Sequence, residues 1–167
     1  MAYSPAENVL IGQQIADFSD TAKHALGTIV RCKDPSSTTL GTGEFIYLKG
    51  VASTVVGSIV NYDDNWQTAL DTAAVAGPSR PLAVAMSACV ANKYGWYQIS
   101  GMAVATKANS VSFADGAGLG SASGLAVAVA TGTVIQGAVV RAVASAKSDV
   151  TSVAIAISRP HGPSDVS

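Results

Sequence analysis

Val150-Thr-Ser-Val-Ala-Ile-Ala-Ile157 decides how this chain folds. Val153, Ile155 and Ile157 fall at every second position with Ala154 and Ala156 between them, which is the period of a strand and not of a helix. The run just before it behaves alike: between Ala138 and Ala144, Val139 and Val143 oppose Val140 and three alanines. Apart from Arg141, both faces of both runs are apolar, so the sheet they form is covered on both sides, as in a small barrel, a sandwich or a sheet lying on a neighbouring subunit. Ala146-Lys-Ser-Asp149 between them reads as a hairpin turn.

The same texture extends back to Gly27. Short runs rich in Val, Ile, Tyr and Thr predict strands at 28–33, 44–48, 57–62, 67–71, 82–88, 95–100, 102–106, 133–144 and 150–158. Turns are predicted at Asp34-Pro-Ser-Ser37, Asp63-Asp-Asn65 and Gly77-Pro-Ser-Arg-Pro81. The fold class expected is therefore all-β, a small β-barrel or β-sandwich occupying 27–159. Ahead of it, residues 1–26 read as an arm, extended or briefly helical, since Ile11, Ile15 and Phe18 fall at helical spacing although Gly12 interrupts them. Residues 160–167, opening with Pro160-His-Gly-Pro163, read as a polar tail that ends the ladder.

Charged residues make up 13% of the chain, against about 25% in an ordinary soluble domain. A surface so poor in charge implies burial in an assembly. A membrane span at Gly116 to Val140 is rejected, because that stretch is broken by glycines and its apolar residues are largely alanine. The opening MAYSPAENVLIGQQ lacks the basic region of a signal peptide and carries Glu7. A net charge of −1 with scattered cations argues against nucleic acid as a partner.

Candidate chemistry is thin. Gly116-Ala-Gly-Leu-Gly120 with Gly124 has the glycines of a phosphate loop, but Leu125-Ala-Val-Ala-Val-Ala130 after it alternates like a strand, so a mobile loop is expected and no cofactor. A nucleophile needs a base beside it, and the two histidines, His24 in the arm and His161 in the tail, are poorly placed for that role. No catalytic residue and no metal ligand set is predicted; Asp63 and Asp64 read as a solvated turn, and Cys32 and Cys89 as small buried hydrophobes of a protein made in a reducing cytoplasm. The strongest local feature is Lys93-Tyr-Gly-Trp-Tyr-Gln-Ile99, where Tyr94 and Trp96 share one face and Tyr97 and Ile99 the other. Tyr94, Trp96 and Tyr97 form an aromatic core or interface cluster, while Trp66 is either a partly exposed contact or a lid over one end of the domain.

Three stretches, Gly43-Glu-Phe-Ile-Tyr-Leu-Lys-Gly-Val-Ala-Ser-Thr-Val-Val-Gly-Ser-Ile-Val60, Pro81-Leu-Ala-Val-Ala-Met-Ser87 and Tyr94-Gly-Trp-Tyr-Gln-Ile99, resemble the head decoration (cement) proteins of tailed bacteriophages, over about residues 27 to 160. The resemblance implies a small β-barrel or β-sandwich without catalytic residues. It also implies assembly with copies of itself, as trimers in preference to dimers, on the outer surface of a phage capsid. There the partner would be the major capsid protein, and the role would be to bridge neighbouring capsid subunits against the pressure of packaged DNA. Val9, Leu10, Ile11, Ile15, Phe18 and Trp66 are the expected capsid or subunit contacts, and removal of residues 1–26 is expected to weaken binding while leaving the β fold intact. The competing readings are another virion surface module, a receptor-binding fibre or spike, and a barrel that holds a small apolar ligand.

Overall fold

The computed structural model describes residues 4–5, 12–37, 39–72, 79–109, 111–129, 134–141 and 151–162. Its strands are β1 (Ser4–Pro5), β2 (Phe18–Ser19), β3 (Ile29–Lys33), β4 (Thr42–Lys49), β5 (Ile59–Tyr62), β6 (Thr68–Leu70), β7 (Leu82–Ala85), β8 (Tyr94–Thr106), β9 (Gly120–Ala122), β10 (Leu125–Val127), β11 (Gln136–Val140) and β12 (Ser152–His161). The fold is all-β and sandwich-like, with every pair of named strands antiparallel. No helix occurs among the described residues, and their ladder does not close into a barrel.

β8 organises the chain. Its first half lies between β4 and β7, Gln98 facing Phe45 on one side and Val84 on the other. From Ser100 onward β12 replaces β7, with Ser100 flanked by Glu44 and Ser158. The strand must bend to do this. Gly57 donates its N–H to Ala85, the partner of Tyr97, and accepts from the N–H of Thr106. Nine residues of straight strand from Tyr97 to Thr106 would span about 30 Å, whereas three steps between bonded neighbours cover about 15 Å. The bend falls at Gly101, whose φ of +100° is open to glycine alone, next to a bulge that leaves Ile99 without a partner in β4. Gln98, fully buried, spans the corner by donating Nε2–H bonds to the carbonyls of Ser100 (3.1 Å) and Met102 (3.0 Å).

Because β8 turns back across the molecule, its far half with β11 and β12 covers β5 and β7. Ile59, Leu82 and Val84 meet Ala103, Ala105, Val140, Val153, Ile155 and Ile157 in one core. Alternation along β4 then fills two more. Ile46 and Leu48 join Val60, Tyr97 and Ile99, while Phe45 and Tyr47 join Val30, Cys32, Met86 and Trp96. The two-sided apolar pattern is thus met in β4 and β8 by the chain's own layers.

Three expectations are corrected. The 95–100 and 102–106 strands are one bent strand, since Gly101 turns the chain without breaking its ladder. Part of the glycine-rich stretch, expected as a loop, is a hairpin: β9 and β10 pair through a turn at Ser123 and Gly124, both at positive φ. The ladder also continues through Pro160 to His161. Its register steps from Ala138 opposite Ile157 to Gln136 opposite His161, so Pro160 falls in a bulge where its missing N–H costs no ladder bond. The predicted turn at Ala146 to Asp149 lies outside the described residues.

Candidate functional site

The aromatic segment sits at the centre of the third core. Trp96 is fully buried, with its ring 4.9 Å from that of Tyr47 and 5.1 Å from that of His24. Over them run residues 12–28, tied down by Gln13. Its Oε1 accepts from the hydroxyls of Tyr47 (2.8 Å) and Ser19 (2.8 Å), and its Nε2 donates to the carbonyls of Asp17 and Tyr94. The Gln13 carbonyl accepts from Trp96 Nε1–H at 3.1 Å. Ile15, 1% exposed, fills the same core.

This placement revises two expectations read from sequence. Ile15 is packed inside the chain and is not offered to a partner. Residues 12–26 are the cover of a core, so their removal would uncover Phe45, Tyr47 and Trp96 and would not leave the fold intact. Phe18 is 47% exposed on β2 and remains at the surface; Val9, Leu10 and Ile11 lie outside the described residues. The helical spacing of Ile15 and Phe18 has no counterpart, because no helix forms there and the two side chains differ in burial.

Tyr94 and Trp96 do share one core and Tyr97 and Ile99 the other. Tyr97 is fully buried, and burial pushes its hydroxyl far above the ordinary phenol range. Trp66 is half-buried at the tip of the β5–β6 connection, in left-handed conformation (φ +60°). Asp63 fixes that tip by accepting from the N–H groups of Asn65 (2.9 Å) and Gln67 (3.0 Å). The ring stacks against Tyr62 on one side and lies so close to Gly27 that a Cβ there would come within 2.6 Å of it. With neighbours on both sides, Trp66 is a lid over its core.

Polar groups meet elsewhere without forming a reactive set. Ser79 Oγ lies 3.1 Å from His161 Nδ1, but it also donates to the carbonyl of Gly162 (2.9 Å), and no carboxylate among the described residues bonds the imidazole. The pair therefore pins Ser79, ahead of β7, to the end of β12. His24 Nε2 is buried without a partner. Buried Asp71 accepts from Asn61 Nδ2 (3.0 Å) and from the Ser121 hydroxyl, holding the β9–β10 hairpin to the end of β6. Burial raises the thiols of Cys32 and Cys89. Among the described residues no group of three His, Cys, Asp or Glu side chains is placed to hold a metal ion. The cavity between the layers, lined by Ile59, Leu119, Ile135 and Ile155, measures about 10 Å³, the size of a single water and too small for an apolar ligand.

The surface has more to offer. Besides Phe18, the large apolar side chains Ile29 (44%), the adjacent Val55 (48%) and Val56 (54%), Val90 (36%) and Val129 (41%) stand exposed. Sequence reading missed Val55 and Val56, because a Val-Val pair inside an alternating stretch looks like strand core. Their only signal is the run from Gly50 to Tyr62, which contains no charge. Gln13 was missed as well, since nothing in a Gln-Gln pair marks which one turns inward. Comparison with protein-family models, with curated proteins and with solved structures gives no match to this chain.

Proposed function

We propose that this protein is a structural component of a phage virion that binds the outer surface of the capsid and bridges neighbouring major capsid proteins, with no catalytic step of its own. The observation that carries the reading is the distribution of apolar contact points. A charge-poor, sandwich-like fold exposes large hydrophobic side chains on β2, on β3, in the β4–β5 connection and beyond β10, and none of them lines the cavity between the layers. A protein that bridges subunits must be held from several sides at once, whereas an enzyme or a ligand carrier concentrates its features in one concavity. The resemblance of Gly43 to Val60, Pro81 to Ser87 and Tyr94 to Ile99 to cement proteins supplies the capsid as the partner.

The test is co-sedimentation of the purified protein with heads that lack it, with copies counted per capsid subunit. A stoichiometric fraction and a higher temperature of DNA release support the reading. A handful of copies per particle would point to a fibre or tail part, and no binding would overturn it.

A further inference from the structure

We infer that residues 12–28 form a strap that opens as one body while the first two cores stay packed, latched by the Tyr47 hydroxyl and uncovering the rings of Tyr47 and Trp96 when it lifts. The strap keeps its own shape. Asp17 N–H donates to the Gln14 carbonyl (3.1 Å), Gln13 Nε2 donates to the Asp17 carbonyl (2.9 Å), and Ser19 Oγ lies 2.8 Å from both Gln13 Oε1 and the Thr21 carbonyl. A turn closed by Thr28 ends it, the N–H (3.2 Å) and the hydroxyl (2.6 Å) both donating to the Ala25 carbonyl.

Its hold on the rest of the chain is of a different kind. Ladder pairing is limited to the two positions of β2, Phe18 opposite Gly95 and Ser19 opposite Tyr94. Ahead of Gly27 the other hydrogen bonds to β4 and β8 converge on three aromatic residues. The Tyr47 hydroxyl donates to Gln13 Oε1 (2.8 Å) and accepts from Lys23 N–H (3.1 Å), while Gln13 also reaches the Tyr94 carbonyl (3.1 Å) and Trp96 Nε1–H (3.1 Å). An exposed ion pair of Lys93 with Asp20 adds little. Of the strap's side chains only Gln13 and Ile15 are buried. His24 lies against both rings with Nε2 buried and unpartnered, a cost that lifting the strap relieves. Segments with few ladder bonds and little buried apolar surface open ahead of the whole fold. Both ends stay fixed, since Ser4–Pro5 pairs with β3, and Gly27, close against Trp66, donates its N–H to the Tyr47 carbonyl (2.8 Å). The strap therefore lifts as a tethered loop.

Hydrogen exchange of the full chain, read by mass spectrometry, tests this without any partner. Relative to their intrinsic rates, amides of residues 18–23 are expected to exchange at least about tenfold faster than those of residues 153–157, because lifting the strap releases them before the chain unfolds. Two variants separate the routes. Ile155→Val weakens the first core, which stays packed when the strap lifts, so it should speed exchange at 153–157 and leave 18–23 unchanged. Tyr47→Phe removes the latch and is expected to speed exchange at 18–23 about fivefold or more. Gln13→Ala takes its place should that variant fail to fold. Equal protection of the two segments in the wild type, equal acceleration of both by Ile155→Val, or a strap that exchanges at the wild-type rate once the latch is removed would overturn the proposal.

Discussion

Trp96 donates its indole N–H to the backbone carbonyl of Gln13, 83 positions earlier in the chain, at 3.1 Å. That bond joins the central strand, near its start, to the segment that crosses over it. Substituting the Gln13 side chain removes an acceptor from the Tyr47 and Ser19 hydroxyls and a donor from two carbonyls. Gln13→Ala is expected to destabilise the protein by about 1–3 kcal/mol in urea unfolding, the cost of leaving buried polar groups unpaired. Deleting residues 1–26 should move tryptophan emission to longer wavelength as Trp96 meets water; an unshifted spectrum with a cooperative transition would show the cover to be dispensable.

The bend in β8 rests on Gly101. A Cβ there would lie 2.6 Å from the Thr42 carbonyl, in a backbone conformation with φ +100°. Gly101→Ala is expected to lower stability by roughly 2 kcal/mol or more, through strain and the clash together. Gly116→Ala provides the comparison, since φ is also positive there (+78°) but nothing lies within 4 Å. A thermal melt in which the two variants lose equally would place the effect in the backbone angle alone.

Asp34 is buried and accepts from the hydroxyl (2.6 Å) and the N–H (2.9 Å) of Ser36, and these bonds hold its carboxyl below the ordinary aspartate value. A depressed folded-state pKa stabilises the fold above the unfolded value of about 3.9, and that contribution is lost as pH falls through the lower folded value. Asp34→Asn should therefore cost stability at neutral pH and flatten the acid limb of a stability-versus-pH curve. An acid limb unchanged in the variant would assign that loss to other carboxylates.

Cys32 and Cys89 are each 0% exposed, and burial raises both thiols. Neither is expected to react with a thiol reagent in the native protein at neutral pH, and both should react once it is unfolded. Rapid labelling of the folded chain would mean that a core opens easily.

Much of this architecture is legible in residue order. Period-2 alternation places β3, β4 and β12, and it assigns Trp96 and Tyr97 to opposite faces, because a strand side chain has only two directions to take. Glycine marks the bend at residue 101 as a break in pattern, but a break and a bend look alike until the partner strands are known. The same ambiguity hid the β9–β10 hairpin among glycines and carried the predicted ladder's end to Ser158, short of the bulge at Pro160.

By itself, the sequence determined that the chain is all-β, poor in charge and apolar on both faces of its strands, since those properties are local and repeat along the chain. Only the tertiary structure decided what covers each face. Ile15 went inside while Phe18 stayed out, Gln13 became the tie over Trp96, and Val55 and Val56 were lifted to the surface on a loop clamped by Thr106. Those outcomes depend on which distant strands meet, and the meeting is fixed by how β8 bends across its own sheet.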